Sequence, residues 1–364
     1  MDISGKIEKI LVFKLCCFGD IVFMTPVIKA FKNNFPGSKI TYVANHWVKD
    51  LIKYLPDVDE EMIIDITGNE NIFGKIYKGF KLIPYLRKQK FDMVFLGHRN
   101  NFLGILLKLA GIKYRLGFRN TKFTNISAKF DGTISETNRY LKILRDNGFA
   151  VNSAQTHLKR ISDKKSVKKL LNINEQDFVI GIFPFGGINP GTEMDIKRWE
   201  MEKYLKLIEQ LSSVFKDFKI IVFEGLTHEE EFNYDFKNRN VIKDRISIEK
   251  IQICDIFICG DTGPLHIAAA FNIPTVAVFG PSDPELVAPE YLNKETGVTH
   301  KTIRKNIECS PCYTTSTAID RKNKKYWRNS SFICYTGHHK CIKEITVEEV
   351  LNSTVEIINQ IKTE

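Results

Sequence analysis

No apolar run in the sequence approaches the ~20 residues needed to cross a bilayer. The most apolar stretches, 251–259 and 273–279, are strand-sized, so a multi-span membrane protein is not expected. A cleavable leader is not expected either, because Lys14, Asp20 and Lys29 interrupt the apolar residues that start at 10–13. A cytoplasmic protein follows, and its eight cysteines read as thiols or ligands rather than structural disulfides. Low-complexity tracts and solenoid-period repeats are lacking. So is a GxGxxG at the first strand–helix turn, which disfavours dinucleotide binding there. What is present is ordinary globular material. The chain has 364 residues, 43% hydrophobic and 26% charged, enough for about two domains with real cores.

Acidic residues are scarce in one half. Residues 1–160 hold 26 Lys and Arg against 14 Asp and Glu, whereas residues 161–364 hold 27 against 29. A composition bias toward lysine would enrich both halves. The asymmetry instead points to an anionic partner for the first half: a nucleic acid, an acidic lipid surface or a phosphorylated acceptor. Nucleic acid is disfavoured, because no motif with aromatic platforms accompanies the basic residues.

Strand and helix patterns alternate. Residues 7–15, 39–44, 61–66 and 91–96 read as strands, with a helix over 21–34 and another over 102–110 closed by Gly111. The alternation restarts with strands at 178–183, 218–223, 255–259 and 274–279, helices at 200–215 and 264–271, and a last helix at 347–361. The fold class is therefore α/β, with two Rossmann-like halves. We expect a first domain over 1–165, a second over 175–345 and a terminal helix over 346–364. A ligand would lie between the halves, at the C-terminal ends of the strands.

Three loops carry the chemistry. In the first, KLCCFGD at 14–20 joins strand to helix. Asp20 there reads from its position as a helix N-cap. In the second, GDTGPLH at 260–266 opens an Ala-rich helix. Its glycines let backbone approach a ligand. Thr262 and the first-turn N–H groups can hold phosphate oxygens, Pro264 fits the first turn, and His266 can donate to an anion. In the third, Thr192 and Lys197 lie in a Gly/Pro-rich loop after the 178–183 strand, suited to anionic groups or to plain solvent exposure. Glu229, beyond the 218–223 strand, could accept ribose hydroxyls or merely start a helix.

These residues resemble glycosyltransferase family 9, the lipopolysaccharide heptosyltransferases. The likeness is carried by ILVFKLCCFGDIVFMTPVIKAFKNNFPGSKITYV from residue 10, KRW at 197–199, and GDTGPLHIAAAFNIPTVAVFGPSDP at 260–284. It implies a GT-B fold, two Rossmann-like domains facing across a cleft, with the acceptor on the first and the nucleotide-sugar on the second. By residue, it implies Asp20 as catalytic base, Lys197 neutralising donor phosphate, and Glu229 on the ribose. Asp261, Thr262, Gly263 and His266 would form the donor-diphosphate loop, and Thr192 would be a phosphate-contacting hydroxyl. The implied reaction is inverting transfer of heptose from ADP-heptose to an anionic lipopolysaccharide-core or other glycan acceptor. No cofactor is required, and domain closure excludes water. Lys75, Lys78, Lys81, Arg87, Lys88 and Lys90, interleaved with Ile72, Phe73, Ile76, Phe80, Leu82 and Ile83, suit peripheral contact with the cytoplasmic face of the inner membrane. A solvated helix face would look the same.

Two rival readings stay open: a nucleotide-sugar epimerase or hydrolase on the same plan, which would act on donor alone, and a non-catalytic nucleotide-binding protein. A metal remains undecided. Cys309, Cys312, Cys334 and Cys341, with His338 and His339, have zinc-like spacing, but packed thiols account for it more simply.

Overall fold

The computed structural model describes residues 6–15, 17–64, 72–189, 192–225 and 234–363. Glu229 and Cys16 therefore lie outside the described residues, as do the side chains of Ile72, Phe73, Lys75 and Ile76. The chain forms two compact units, residues 1–159 and 160–364.

The first unit is built on β1 (Lys9–Phe13), β2 (Lys39–Asn45), β3 (Glu60–Ile64), β4 (Met93–Leu96), β5 (Tyr114–Phe118) and β6 (Ile126–Ala128). They pair in parallel in the order β3-β2-β1-β4-β5-β6. The central strands KILVF and MVFL are buried on both faces apart from Lys9. Continuous apolar runs of this kind are what a parallel sheet covered on both sides requires. Leu11, Phe13, Val94 and Leu96 pack with Leu103, Leu106 and Leu107 of the Asn101–Leu109 helix.

The expected helix over 21–34 is two helices, Phe18–Val22 and Thr25–Asn34. Pro26 causes the break. It has no N–H to give to the Val22 carbonyl four residues back, and its ring crowds that oxygen. The Thr25 hydroxyl donates to the Val22 carbonyl instead, at 2.8 Å.

The second unit holds β7 (Val179–Phe183), the two-residue β8 (Ile188–Asn189) and β9 (Thr192–Glu193), β10 (Lys219–Glu224), β11 (Val241–Arg245), β12 (Ile256–Gly260), β13 (Thr275–Val278), β14 (His300–Ile303), and the short β15 (Trp327–Arg328) and β16 (Ser331–Phe332). The main sheet runs β11-β10-β7-β12-β13-β14, all parallel, and repeats the plan of the first. The four short strands make a separate small sheet, β15-β16-β9-β8. The terminal helix Val347–Thr363 buries Val350, Thr354, Ile357 and Ile358.

In each sheet the strand order reverses beside the first strand, between β1 and β4 and between β7 and β12. The loops leaving such paired strands diverge to opposite faces and leave a crevice at their C-terminal ends. The first of the three chemical loops leaves β1; the other two leave β7 and β12.

Candidate active site

Asp20 is the third residue of the Phe18–Val22 helix, not its cap. The cap position falls on Cys17, at φ 65° and without a side-chain cap bond. The Asp20 carboxylate faces the Lys14 ammonium at 3.2 Å; the Lys14 side chain is 9% exposed and that of Asp20 26%. Lys14 ends the first strand's run, and Gly97, after β4, makes room for it: a Cβ there would stand 3.1 Å from the Lys14 Cδ. The ammonium also lies 5.4 Å from the Tyr140 ring centroid, and the Tyr140 hydroxyl donates to Glu136 at 2.7 Å. The loop is held from below by His98, whose Nε2 accepts the Leu15 N–H at 2.8 Å. Burial, aided by Lys14, holds the His98 pKa well below 6.5. The ring is thus neutral and able to accept that bond. None of His98, Tyr140 and Glu136 was visible as a site residue in the sequence, because His98 follows β4 and the other two come from the Glu136–Arg145 helix, all far along the chain from Lys14 and Asp20.

On the second unit, Lys197 closes the short helix Asp195–Lys197, and its ammonium lies 2.6 Å from an Asp261 carboxylate oxygen. Their side chains are 16% and 8% exposed. Burial pushes the Asp261 carboxyl upward, but the Lys197 charge beside it prevails and leaves it below its usual value. Asp261 is therefore an anion that fixes Lys197. The ammonium also sits 4.6 Å over the Tyr313 ring.

His266, read from the sequence as able to donate to an anion, lies on the first turn of the Gly263–Ala270 helix. It stands 4.0 Å from Asp261, yet burial takes its pKa down to about 4. It is a neutral imidazole at pH 7 and adds no positive charge.

Thr262 is the cap residue of the Gly263–Ala270 helix, and its side chain makes no bond to the helix's own N–H groups. Such a helix start, with Pro264 in the first turn, presents N–H groups and positive dipole to an anion. The glycine that matters for close approach is Gly186, not Gly260. At φ 120°, a Cβ on Gly186 would meet the Thr262 Oγ1 at 2.6 Å. The nearest atom to a Cβ on Gly260 would be at an ordinary 3.4 Å. The Gly186 carbonyl accepts from Arg198 Nε at 2.7 Å, and Trp199 Nε1 donates to the Ile345 carbonyl at 3.1 Å. These bonds anchor both ends of the Lys197 loop. Thr192, in the small sheet, accepts from Arg321 Nη2 at 2.5 Å, a cation the sequence did not single out.

The seven described cysteines are free thiols. Burial and neighbouring thiols push Cys312 and Cys341 up to about 11, and Cys309 lies 3.9 Å from His338 Nε2. Among the described residues, no three His, Cys, Asp or Glu side chains gather to hold a metal. Nor is any described helix long and apolar enough to cross a membrane.

Two Rossmann-like sheets with polar clusters at both reversal points match known proteins along the whole chain. Lipooligosaccharide heptosyltransferase 2 of Campylobacter jejuni is 24% identical over 368 residues, 96% of this chain and 98% of that protein. A glycosyltransferase family 9 structure from Veillonella parvula superposes with a TM-score of 0.74 at 18% identity, over 98% of each chain. The E. coli ADP-heptose lipopolysaccharide heptosyltransferase II structure does so with a TM-score of 0.71 at 19% identity, over 97% of this chain and 99% of that one. These likenesses establish the GT-B fold. Residues 80–322, two thirds of the sequence, match the family profile of glycosyltransferase family 9 (heptosyltransferase), and the chain is therefore a member of that family and a glycosyltransferase.

Proposed function

We propose that the protein transfers a heptose from ADP-heptose to a lipopolysaccharide-core acceptor with inversion, and that Asp20 is the general base. The observation that carries this reading is the pairing of a largely covered lysine, Lys197, with the open start of the 263–270 helix on one unit. The first unit, taken by itself, offers a partly exposed carboxylate, Asp20, in the loop after its first strand. An in-line displacement needs both a diphosphate cradle and a base.

Asp20 accepts the acceptor hydroxyl proton as that oxygen bonds to the anomeric carbon. The bond from that carbon to the diphosphate oxygen breaks, and its electron pair leaves with ADP. Lys14, on the same face of the loop, orients the Asp20 carboxylate. On the donor side Lys197 meets the charge growing on the leaving diphosphate. Asp261 accepts one of its three N–H groups and so fixes its direction. The N–H of Gly263 and the Thr262 hydroxyl add dipoles that are already aligned, so no reorganisation is needed as the charge forms. His266 contributes as a neutral donor. Thr192 with Arg321 belongs to the same donor side, and Glu229 takes the ribose hydroxyls. The names of a structural neighbour, an ADP-heptose lipopolysaccharide heptosyltransferase, and of a relative, a lipooligosaccharide heptosyltransferase, support this choice of sugar and acceptor.

The test is a donor-by-acceptor panel read by mass spectrometry, with truncated lipopolysaccharide cores and ADP-, UDP- and GDP-sugars. The expected result is a core heavier by one heptose with ADP-heptose only, and little ADP released without acceptor. Rapid donor turnover in the absence of any core would instead favour a hydrolase or epimerase.

A further inference from the structure

We propose that the outer face formed by the Ile72–Gln89 helix, the Asn101–Leu109 helix and the 119–124 turn docks on a bilayer surface of anionic headgroups. It stands on charge and exposed apolar area alone, independently of which sugar is transferred.

The charge excess of the first half is confined to one segment. Residues 72–130 hold 13 Lys and Arg and a single acidic residue, Asp92. The rest of residues 1–160 is balanced, 13 against 13. Exposed large apolar side chains fall in the same place. Among the described residues of the first unit they are Tyr77 (61% exposed), Phe80 (46%), Tyr85 (47%), Leu109 (41%) and Phe123 (39%). All five lie on these two helices and this turn.

The geometry makes them one face. In the 72–89 helix, Gly79, Ile83 and Leu86 point inward. Ile83, expected from the sequence on the outer mixture, is thus core. The outward stripe is Tyr77, Lys81, Tyr85 and Lys88, at helical spacing and all exposed. Phe80 meets Phe102 of the second helix edge-on, ring centroids 6.1 Å apart. Arg87 Nε donates to the Leu109 carbonyl at 3.0 Å, tying the helices together. The turn is joined to them by the Lys122 N–H, which donates to Asn101 at 2.8 Å. Lysine ammoniums lie over the exposed rings: Lys81 4.4 Å from the Tyr77 centroid and Lys108 4.6 Å from that of Phe123.

Aromatic rings with a polar edge, ringed by lysines whose stems lie along apolar surface, suit the boundary between headgroups and acyl chains. Anionic lipids supply the missing negative charge. A second copy of the same face would bring like charge against like charge, so self-association through it is disfavoured.

The test is flotation of the full-length protein with phosphatidylcholine vesicles or with phosphatidylglycerol-rich ones. Wild-type protein should float with the anionic vesicles at low salt and be released at high salt. Lys81→Gln/Lys88→Gln should weaken binding about 25-fold, about fivefold per lysine. Tyr77→Ser/Phe80→Ser/Tyr85→Ser should weaken it at least about tenfold, with the melting temperature kept because the rings are exposed. Equal flotation with neutral vesicles, or wild-type binding by both variants, would overturn the proposal. So would failure to float combined with dimerisation or RNA binding that the same variants abolish.

Discussion

Removing Lys197 should separate its two roles, because the partner it leaves behind is buried. In Lys197→Met the Asp261 carboxylate, 8% exposed, loses the ammonium 2.6 Å away and keeps only His266 and the Ser282 hydroxyl among the partners that favour its charge. Breaking one side of a mostly buried pair costs about 3–5 kcal/mol, whereas replacing both sides by neutral groups is often nearly free. For a unit of this size about 1 kcal/mol shifts Tm by about 2–4 °C, so the single variant should melt roughly 6–20 °C lower. Lys197→Met/Asp261→Asn should recover most of that loss. ADP affinity should not recover, because the charge that meets the diphosphate is absent in both variants. Loss of a charge-assisted contact of about 1.5–3 kcal/mol corresponds to roughly 10- to 150-fold in Kd. The assays are thermal unfolding without ligand and calorimetric titration with ADP. The reasoning is refuted if the double variant binds ADP like wild type. It is equally refuted if the single variant melts normally, since Asp261 would then not depend on Lys197.

Other outcomes follow from the same geometry. Burial holds His266 and His300 at about 4, while unfolded histidines titrate near 6.5. Stability should therefore be full above pH 6.5 and fall toward pH 4 as the unfolded chain takes up protons. Together the two should cost about 3 kcal/mol by pH 5.5; urea unfolding that is flat from pH 7 to 5.5 would contradict this. Transfer should survive EDTA, because Lys197 and the 263–270 helix start supply the positive potential at the diphosphate; activity abolished by EDTA and restored by Mg²⁺ would refute that. Gly186→Ala should lower ADP affinity and stability together, because its Cβ would displace Thr262, and a variant with both at wild-type level would show that the contact is not needed.

Much of the fold was legible because buried parallel strands announce themselves as short apolar runs. KILVF, VIGIF and IFICG need no context to be read. The strands missed lack that signature. VIKDR and HKTI lie at the edges of the second sheet and are partly exposed, YRLGF is interrupted by Arg115 and Gly117, and ISA is three residues long. The small sheet could not be foreseen, since Ser331 pairs with Glu193 across a long stretch of chain. At the site, residue identity was readable but ionisation and partnership were not. His266 loses its charge to burial, which no local pattern reports. The apolar pattern starts the helix at residue 21 and makes Asp20 its cap, whereas the helix begins three residues earlier, at Phe18. The earlier start depends on Cys17 at positive φ, unusual for a residue with a side chain.

If Asp20 takes the acceptor proton, its loss must show in the turnover number of Asp20→Asn at saturating donor and acceptor. Asparagine keeps the size of the side chain and can still meet Lys14, but it cannot accept the proton. The expected kcat is lower by about 10²–10⁴ in a protein that remains folded at the assay temperature. A kcat within about threefold of wild type would contradict it and remove Asp20 from the chemistry.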